Sequence, residues 1–471
     1  MKFIFVMPLL FIVNVLSQNI PFSLIRDNGP SNNRISIAIM AEGYTANQQD
    51  RFNQNVDTLL QRMLAFTPFK QYQRFFNFYR FNTISQDSGL DTYNGSFITL
   101  VNTYFDASLN IPSNSLHPGN AYKALQLASD SIPRSDMVLI LANYGYSAGA
   151  GGGSLCIIDN SSDVEYSALH EFGHVLGGLD DEYQPMPSAL APNITKDTIR
   201  DSVKWINWIP LTAELPTPIY ERYVGANPIY GYPGFFKPEG ACMMSSASSP
   251  FCRICTEALV LEINRRTKAF DAYYPSFGTV GYIDSLDTFS ISMVDTANLK
   301  YGVKWYLDDT AIPGANAFTF VLDPIQRNLG SSTHTLKCRF RDTTWYKYGN
   351  RGQDSIDYCP FVRTDPDSVM TDSVVWTLQY GIGIENGLLA MASTEPTLSV
   401  FTSGSLIRIH AAPFGNYQLG VYDIRGRLIK EFGQGIALRA MEHTFRPQTA
   451  GMYFVRLIAK GKVLSRKAVG M

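Results

Sequence analysis

The stretch "HEFGHVLGGLDDEY", His170 to Tyr183, decides how the rest of this chain is read. Residues four apart on a helix share a face, so His170 and His174 can direct imidazole nitrogens to a single zinc ion. Glu171, beside them, can reach a water bound to that ion. Zinc lowers the pKa of its water toward neutrality, and a carboxylate so placed can take the proton as the water attacks a carbonyl, then pass it to the leaving amine. The spacing predicts amide hydrolysis with Glu171 as catalytic base. A working site needs a third protein ligand, and past the turn at Gly177 and Gly178 two adjacent acids compete for it, Asp180 and Asp181.

Upstream, strands and helices alternate. In "RISIAIM", Ile35, Ile37 and Ile39 alternate as on a strand. Thr45 and Gln48 then have capping-box spacing, and Phe52, Val56, Leu59, Leu60 and Met63 line one face of a helix. "FFNFYRFNTIS" (75–85) reads as a strand, "AYKALQLA" (121–128) as a helix, and "MVLILAN" (137–143) as a buried strand. This alternation predicts an α/β lobe. The glycine-rich "GYSAGAGGGS" (145–154) lacks the Lys and Ser/Thr of a phosphate-binding loop and reads as a flexible connection into the short strand "LCIID". Asp163 is placed to cap the helix that carries the histidines, whose Ala168, Leu169, Phe172, Val175 and Leu176 face a core.

Beyond Tyr183 a Pro-, Tyr- and Trp-rich segment of weak periodicity runs to Gly240, as expected of loops walling a cleft. Tyr223, Tyr230, Tyr232, Phe235 and Phe236 could line subsites there or simply pack the loops. "CTEALVLEINRRT" reads as a closing helix. From about Tyr274 the pattern becomes short alternating strands ("FSISMV", "VKWYL", "FTFVL", "HTLKCRF", "SVVWTL"). With Trp305 early and Cys338 late, they predict a β-sandwich of immunoglobulin type. A last β block follows the link "YGIGIENG".

The chain has 471 residues, 45% of them hydrophobic, enough for more than one core. Its 39 basic and 41 acidic side chains nearly balance, which argues against nucleic acid or an anionic membrane as partner. Lys2, an apolar run and small residues near Ser17 have the layout of a secretory signal peptide over 1–17. The run is interrupted by Asn14 and is too short to span, and the mature chain is expected to lack a membrane span. Six cysteines in an exported chain suggest disulfides. Cys252-x-x-Cys255 near Cys242 could instead belong to a structural zinc site, although no second Cys-x-x-Cys completes the usual ligands.

Over about residues 20 to 270, "MAEGYTANQQDRF", "PFKQYQRFFNFYRFNTISQDSG", the His-Glu-x-Gly-His helix ending in Asp-Glu-Tyr, and "CMMSSASSPFCRIC" together resemble the IgA-peptidase family of bacterial metalloproteases. The layout resembles that of the metzincin zinc peptidases, in which a glycine turn leads to the third ligand and a methionine turn lies beneath the metal. The resemblance implies His170 and His174 as zinc ligands, Glu171 as catalytic base and Met244 as the methionine-turn residue, with Met243 as its substitute. Metzincin spacing selects Asp180 as third ligand. The family's Asp-Glu-Tyr ending aligns with Asp181, which the doubled glycine favours by permitting a longer turn. "YQLGVYDIRGRLIKEF" and "TAGMYFVRLIAKGKVLSRKAV" resemble the sorting domain read by the type IX secretion system of Bacteroidota.

The expected architecture is a signal peptide (1–17), an α/β metzincin-like catalytic domain (18–270), an immunoglobulin-like sandwich (271–380) and a C-terminal sorting β-domain (388–471). The expected function is a secreted or surface zinc endopeptidase with protein or peptide substrates and the secretion machinery as partner. The rival is a catalytically inactive surface protein that binds through its sandwiches. Glu171 disfavours it, since a binding protein has no need of a general base.

Overall fold

Strands β1 (Phe22–Arg26), β2 (Ile35–Glu42) and β3 (Phe76–Phe81) open the fold in a computed structural model of the chain. Four short strands follow, β4 (Asp91–Asn94), β5 (Phe97–Thr99), β6 (Ser108–Asn110) and β7 (Ser115–His117), then β8 (Met137–Ala142), β9 (Gly149–Gly152) and β10 (Leu155–Asp159). The helices are α1 (Gln49–Met63), α2 (Phe69–Tyr72), α3 (Ala121–Ser131), α4 (Val164–Gly177) and α5 (Arg253–Arg266). The structure describes residues 20–471 except 184–186, 218–223, 247–248, 277, 283–286, 325–326, 328, 330–331, 349–356, 381–396, 404–405, 413–414, 424–426, 438–440, 448–450, 460–461 and 471. The expected signal segment, Tyr223, the Ile-Arg-Gly residues 424–426 of the last β block, and the link after Tyr380 lie outside the described residues. Two compact units result, and neither is continuous in sequence. One holds the chain through Ala272 with 292–302 and 340–372; the other holds 273–291, 303–339 and the chain from Ser373.

The first unit is built on a six-stranded sheet in the order β1-β3-β2-β8-β10-β9. β3, β2, β8 and β10 run parallel, and the two edge strands β1 and β9 run antiparallel to their neighbours. Parallel strands covered on both faces should be apolar throughout. β2 and β8 are buried at every position. Their alternation sorts side chains between two cores. Ile35, Ile37, Ile39, Leu139 and Leu141 pack on one side, with the apolar faces of α1 and α4. Ala38, Met40, Val138 and Ile140 pack on the other, with Ala124 and Ala128 of α3. The capping box at Thr45 and Gln48 forms, and it initiates a short 3-10 turn that leads into α1.

The glycine-rich segment before "LCIID" was expected to be a flexible connection, but it forms the edge strand β9, paired with β10. Its period-2 pattern was hidden because alternate positions are Gly and Ala. Nor do the cysteines pair: all six are buried and free.

A three-stranded sheet (270–274, 287–293, 319–322) and a five-stranded sheet (279–282, 371–380, 334–342, 301–307, 310–311), whose strands lie mostly in the second unit, form a sandwich. Trp376 stacks on Trp305 at 5.7 Å and meets Phe289 edge-on at 5.1 Å, joining the two layers. Trp305 and Cys338 were the pattern that suggested an immunoglobulin-type core. Trp305 packs on Trp376, and Cys338 is buried and unpaired. The last β block forms three- and four-stranded sheets around Leu398, Ile407, Ile409, Leu419, Val421, Val455 and Leu457. Among the described residues no helix is long and apolar enough to cross a membrane.

Within the first unit, Tyr72 at the end of α2 is fully buried and donates to Asp342 Oδ2 at 2.7 Å. Tyr72→Phe removes that donor alone and leaves a buried carboxylate short of a partner, a loss of about 1–3 kcal/mol. The urea midpoint should fall with an unchanged slope. An unchanged midpoint would mean that water replaces the tyrosine at Asp342.

Candidate metal centre and active site

Helix α4 carries three of the expected site residues, and its end sets the fourth. Asp163 occupies the N-cap position, but its side chain makes no capping bond; its Oδ2 instead accepts from Ser147 Oγ at 3.0 Å. Ala168, Leu169, Phe172 and Leu176 are buried in the core, as the periodicity requires. The expected break falls one residue late. Gly177 stays helical and close to Leu259 of α5, where a Cβ would come within 3.1 Å of the leucine side chain. Gly178 takes the left-handed conformation at φ +60°, which glycine adopts without steric cost. The amides of Gly178 and Leu179 then close on the carbonyls of His174 and Gly173.

This turn brings Asp181 back to the histidines. Asp181 Oδ1 lies 3.0 Å from His170 Nε2 and 3.4 Å from His174 Nε2, and the two Nε2 atoms are 3.2 Å apart. Asp180 points elsewhere and braces the loop. Its Oδ1 accepts from Asp181 N at 2.9 Å, its Oδ2 accepts from Ser188 N, and its backbone exchanges bonds with the side chain of Asn193.

Each ring is also held from behind. His170 Nδ1 meets the carbonyl of Met243 at 3.0 Å, and His174 Nδ1 meets that of Leu179 at 2.8 Å. A carbonyl only accepts, so both Nδ1 atoms carry the proton and both Nε2 atoms present lone pairs. In the neutral rings, three electron-pair donors thus face one point. With neutral rings Asp181 Oδ1 is a buried oxygen without a hydrogen-bond donor. Protonation would supply one. Burial alone lowers the His174 pKa, but Asp181 and the Leu179 carbonyl push it up to about 9, and His170 is raised for similar reasons. Burial raises Asp181, but the two histidines hold it well below the usual carboxylate range.

A metal ion fits the same point. Tetrahedral ligands at about 2.0–2.1 Å from an ion are about 3.3 Å from one another, which matches the three separations found here. The group His170, His174 and Asp181 is therefore a candidate metal centre.

Glu171 turns from this cluster toward β9. Cβ atoms at Gly149 and Gly151 would lie 2.6 and 2.7 Å from its two carboxylate oxygens, so these alternate glycines leave the space that the carboxylate fills. Burial raises its pKa above the ordinary 4.5, while the charges of His170 and His174 oppose the shift. Below the helix, Met244 is fully buried with Sδ against Gly173, where a Cβ would come within 2.5 Å. Met243 contributes its carbonyl to His170, so the two methionines have different tasks. Tyr183 is half exposed, its ring 6.2 Å from that of His170.

Among the proposed subsite aromatics, Tyr232 and Phe235 pack against Ala191, Ile194 and Ile229, and Phe236 pairs with Thr195. Tyr230 is exposed. Sequence reasoning passed over Gly149, Gly151 and Asn193. The glycines carried a signal in their two-residue spacing; Asn193 carried none.

Residues 24–224 match a peptidase family. Its description is IgA Peptidase M64, and the matched segment includes the metal-centre residues and Glu171 but ends before Met243 and α5. The match supports membership of a peptidase family and a peptidase hydrolase. No curated protein matches the chain. Among solved structures, β-glucuronidase 3 of Bacteroides uniformis is 10% identical with a TM-score of 0.20, covering 51% of this chain and 29% of that one. The BSP domain of a biofilm associated protein is 10% identical with a TM-score of 0.18, over 44% of this chain and 30% of that one. The chain thus spans less than a third of either, and at such scores the likeness carries no argument about fold or function.

Asp181→Ala removes one of the three converging donors and should lower metal affinity at least tenfold in a chelator competition. Asp180→Ala should change it much less; the reverse ranking would place the ligand at Asp180. Gly151→Ala should push the Glu171 carboxylate out of place and lower kcat at least tenfold while the bound metal is retained. Unchanged kcat would show that the carboxylate does not need this space.

Proposed function

We propose that the chain is a secreted zinc endopeptidase that hydrolyses peptide bonds of extracellular proteins. The observation that carries the reading is the convergence of two imidazole Nε2 atoms and a carboxylate oxygen within 3.4 Å of one another, with the glutamate of the same helix alongside. His170, His174 and Asp181 would hold the ion. When bound, zinc supplies Lewis acidity, which makes water a stronger acid and polarises a peptide carbonyl. Glu171 takes the proton from the attacking water and delivers it to the departing amine. Its buried position, with raised basicity, suits that transfer better than an exposed carboxylate would. The carbonyls of Met243 and Leu179 keep both rings in the metal-binding tautomer throughout.

The metzincin-like character of the catalytic unit is part of the same proposal. It is supported by the glycine turn after the histidine helix and the methionine turn below it. The C-terminal sandwich is read as a sorting domain for type IX secretion and the segment 1–17 as a signal peptide. The destination is the cell surface or medium, and these assignments rest on the sequence alone.

Glu171→Gln tests the chemistry. With a quenched peptide library, it should lower kcat/KM by at least a hundredfold at unchanged metal content. In the unaltered chain the acid limb of kcat/KM should lie above pH 4.5, because a base with a raised pKa loses its function at a higher pH as acidity increases. Hydrolysis that survives both Glu171→Gln and chelation would contradict the proposed chemistry, and no chelator-sensitive cleavage by the unaltered chain would favour a binding protein.

A further inference from the structure

Three cysteines meet beside the metal centre. Cys242, Cys252 and Cys255 are fully buried, and with them is Glu182, whose side chain is also buried. One donor atom from each of the four lies within 4.8 Å of all the others. We propose that these four residues form a second metal site, a structural zinc site distinct from the His170, His174 and Asp181 cluster.

The distances favour an ion over a bridge. Cys242 Sγ and Cys255 Sγ are 3.5 Å apart, far beyond a disulfide bond of about 2.05 Å. Sulfurs about 2.3 Å from a tetrahedral zinc stand about 3.7 Å from one another, close to this separation. Glu182 Oε1 is 3.6 Å from Cys255 Sγ. Three thiols in one pocket also leave one over if any two pair.

Backbone amides are directed at two of the sulfurs. Cys252 N donates to Cys242 Sγ at 3.2 Å and Cys255 N donates to Cys252 Sγ at 3.4 Å; amide bonds of this kind stabilise negative sulfur. Glu182 Oε1 accepts from Asn193 Nδ2 at 3.2 Å, whereas Oε2 is buried with no hydrogen bond, its cation Lys237 standing 3.7 Å away. Oε1, the oxygen that faces Cys255 Sγ, is the one placed to bind an ion among the sulfurs, while Lys237 offsets the charge at Oε2. Soft thiolates with one carboxylate form a donor set for zinc, and four protein ligands leave no open position for catalysis.

The site would fasten the segments that shape the other cluster. Glu182 follows Asp181, and its amide donates to the Met244 carbonyl at 2.9 Å. Cys242 opens the turn that presents the Met243 carbonyl to His170, and Cys252 caps α5. One ion would join loop, turn and helix.

The test uses the full chain carrying His170→Ala and His174→Ala, which removes the first centre. Elemental analysis should find about one zinc per chain, against about two in the unaltered protein, and X-ray absorption should find sulfur about 2.3 Å from the metal. Adding Cys252→Ser should abolish that zinc. Because this variant could fail to fold, cobalt substitution of the double-histidine variant gives a second reading: a thiolate-to-cobalt charge-transfer band is expected. A folded double-histidine variant without sulfur-bound metal would overturn the proposal. So would two thiols fewer than expected on alkylating the unfolded, unreduced chain, which would reveal a disulfide. Sulfur-bound zinc in a chain that hydrolyses nothing would uphold this site and refute only the peptidase reading.

Discussion

Two imidazole nitrogens and one carboxylate oxygen, each offering a lone pair to the others, do not stay within 3.4 Å without something positive between them. A proton or a metal ion can fill that role. The carbonyls of Met243 and Leu179 claim the protons at Nδ1, so the Nε2 lone pairs face inward in the neutral rings. The rest of the catalytic unit serves to keep this arrangement from relaxing.

That work is done mainly by backbone. Gly178 supplies the left-handed turn that returns the chain to the helix it has just left, and Asp180 and Asn193 brace the loop so that Asp181 faces the rings. The turn at Cys242 presents one carbonyl to His170 and packs the Met244 sulfur under Gly173. On the other side, β9 has no side chains at Gly149 and Gly151, and the Glu171 carboxylate fills the gap. The six-stranded sheet holds β9 and α4 through β10 and a shared core, so the site inherits the rigidity of buried parallel strands.

Much of this scaffold was legible in the sequence because burial writes itself as period. Ile35, Ile37 and Ile39 announced β2, and Phe52, Val56 and Leu59 announced the inner face of α1. Where side chains vanish the period vanishes with them, and β9 was read as a connection. Asp163 shows another limit: a residue suited to capping was instead engaged by Ser147, a partner 16 residues away that no local rule identifies. The cysteines were read as disulfide partners or, for Cys242, Cys252 and Cys255, as part of a zinc site that lacked a fourth ligand; the fold gathers these three with Glu182, a residue outside any cysteine spacing, around one point. The choice between Asp180 and Asp181 turned on one residue of turn length, which depends on the glycine that takes positive φ.

The central claim is that a single ion sits between His170 Nε2, His174 Nε2 and Asp181 Oδ1. Crystals of the zinc-loaded chain, measured on both sides of the zinc absorption edge, test it most directly. The account predicts an anomalous peak about 2.0–2.2 Å from all three atoms, with the Glu171 carboxylate outside bonding distance. No peak between the histidines, or one bonded to Asp180 in place of Asp181, would contradict it.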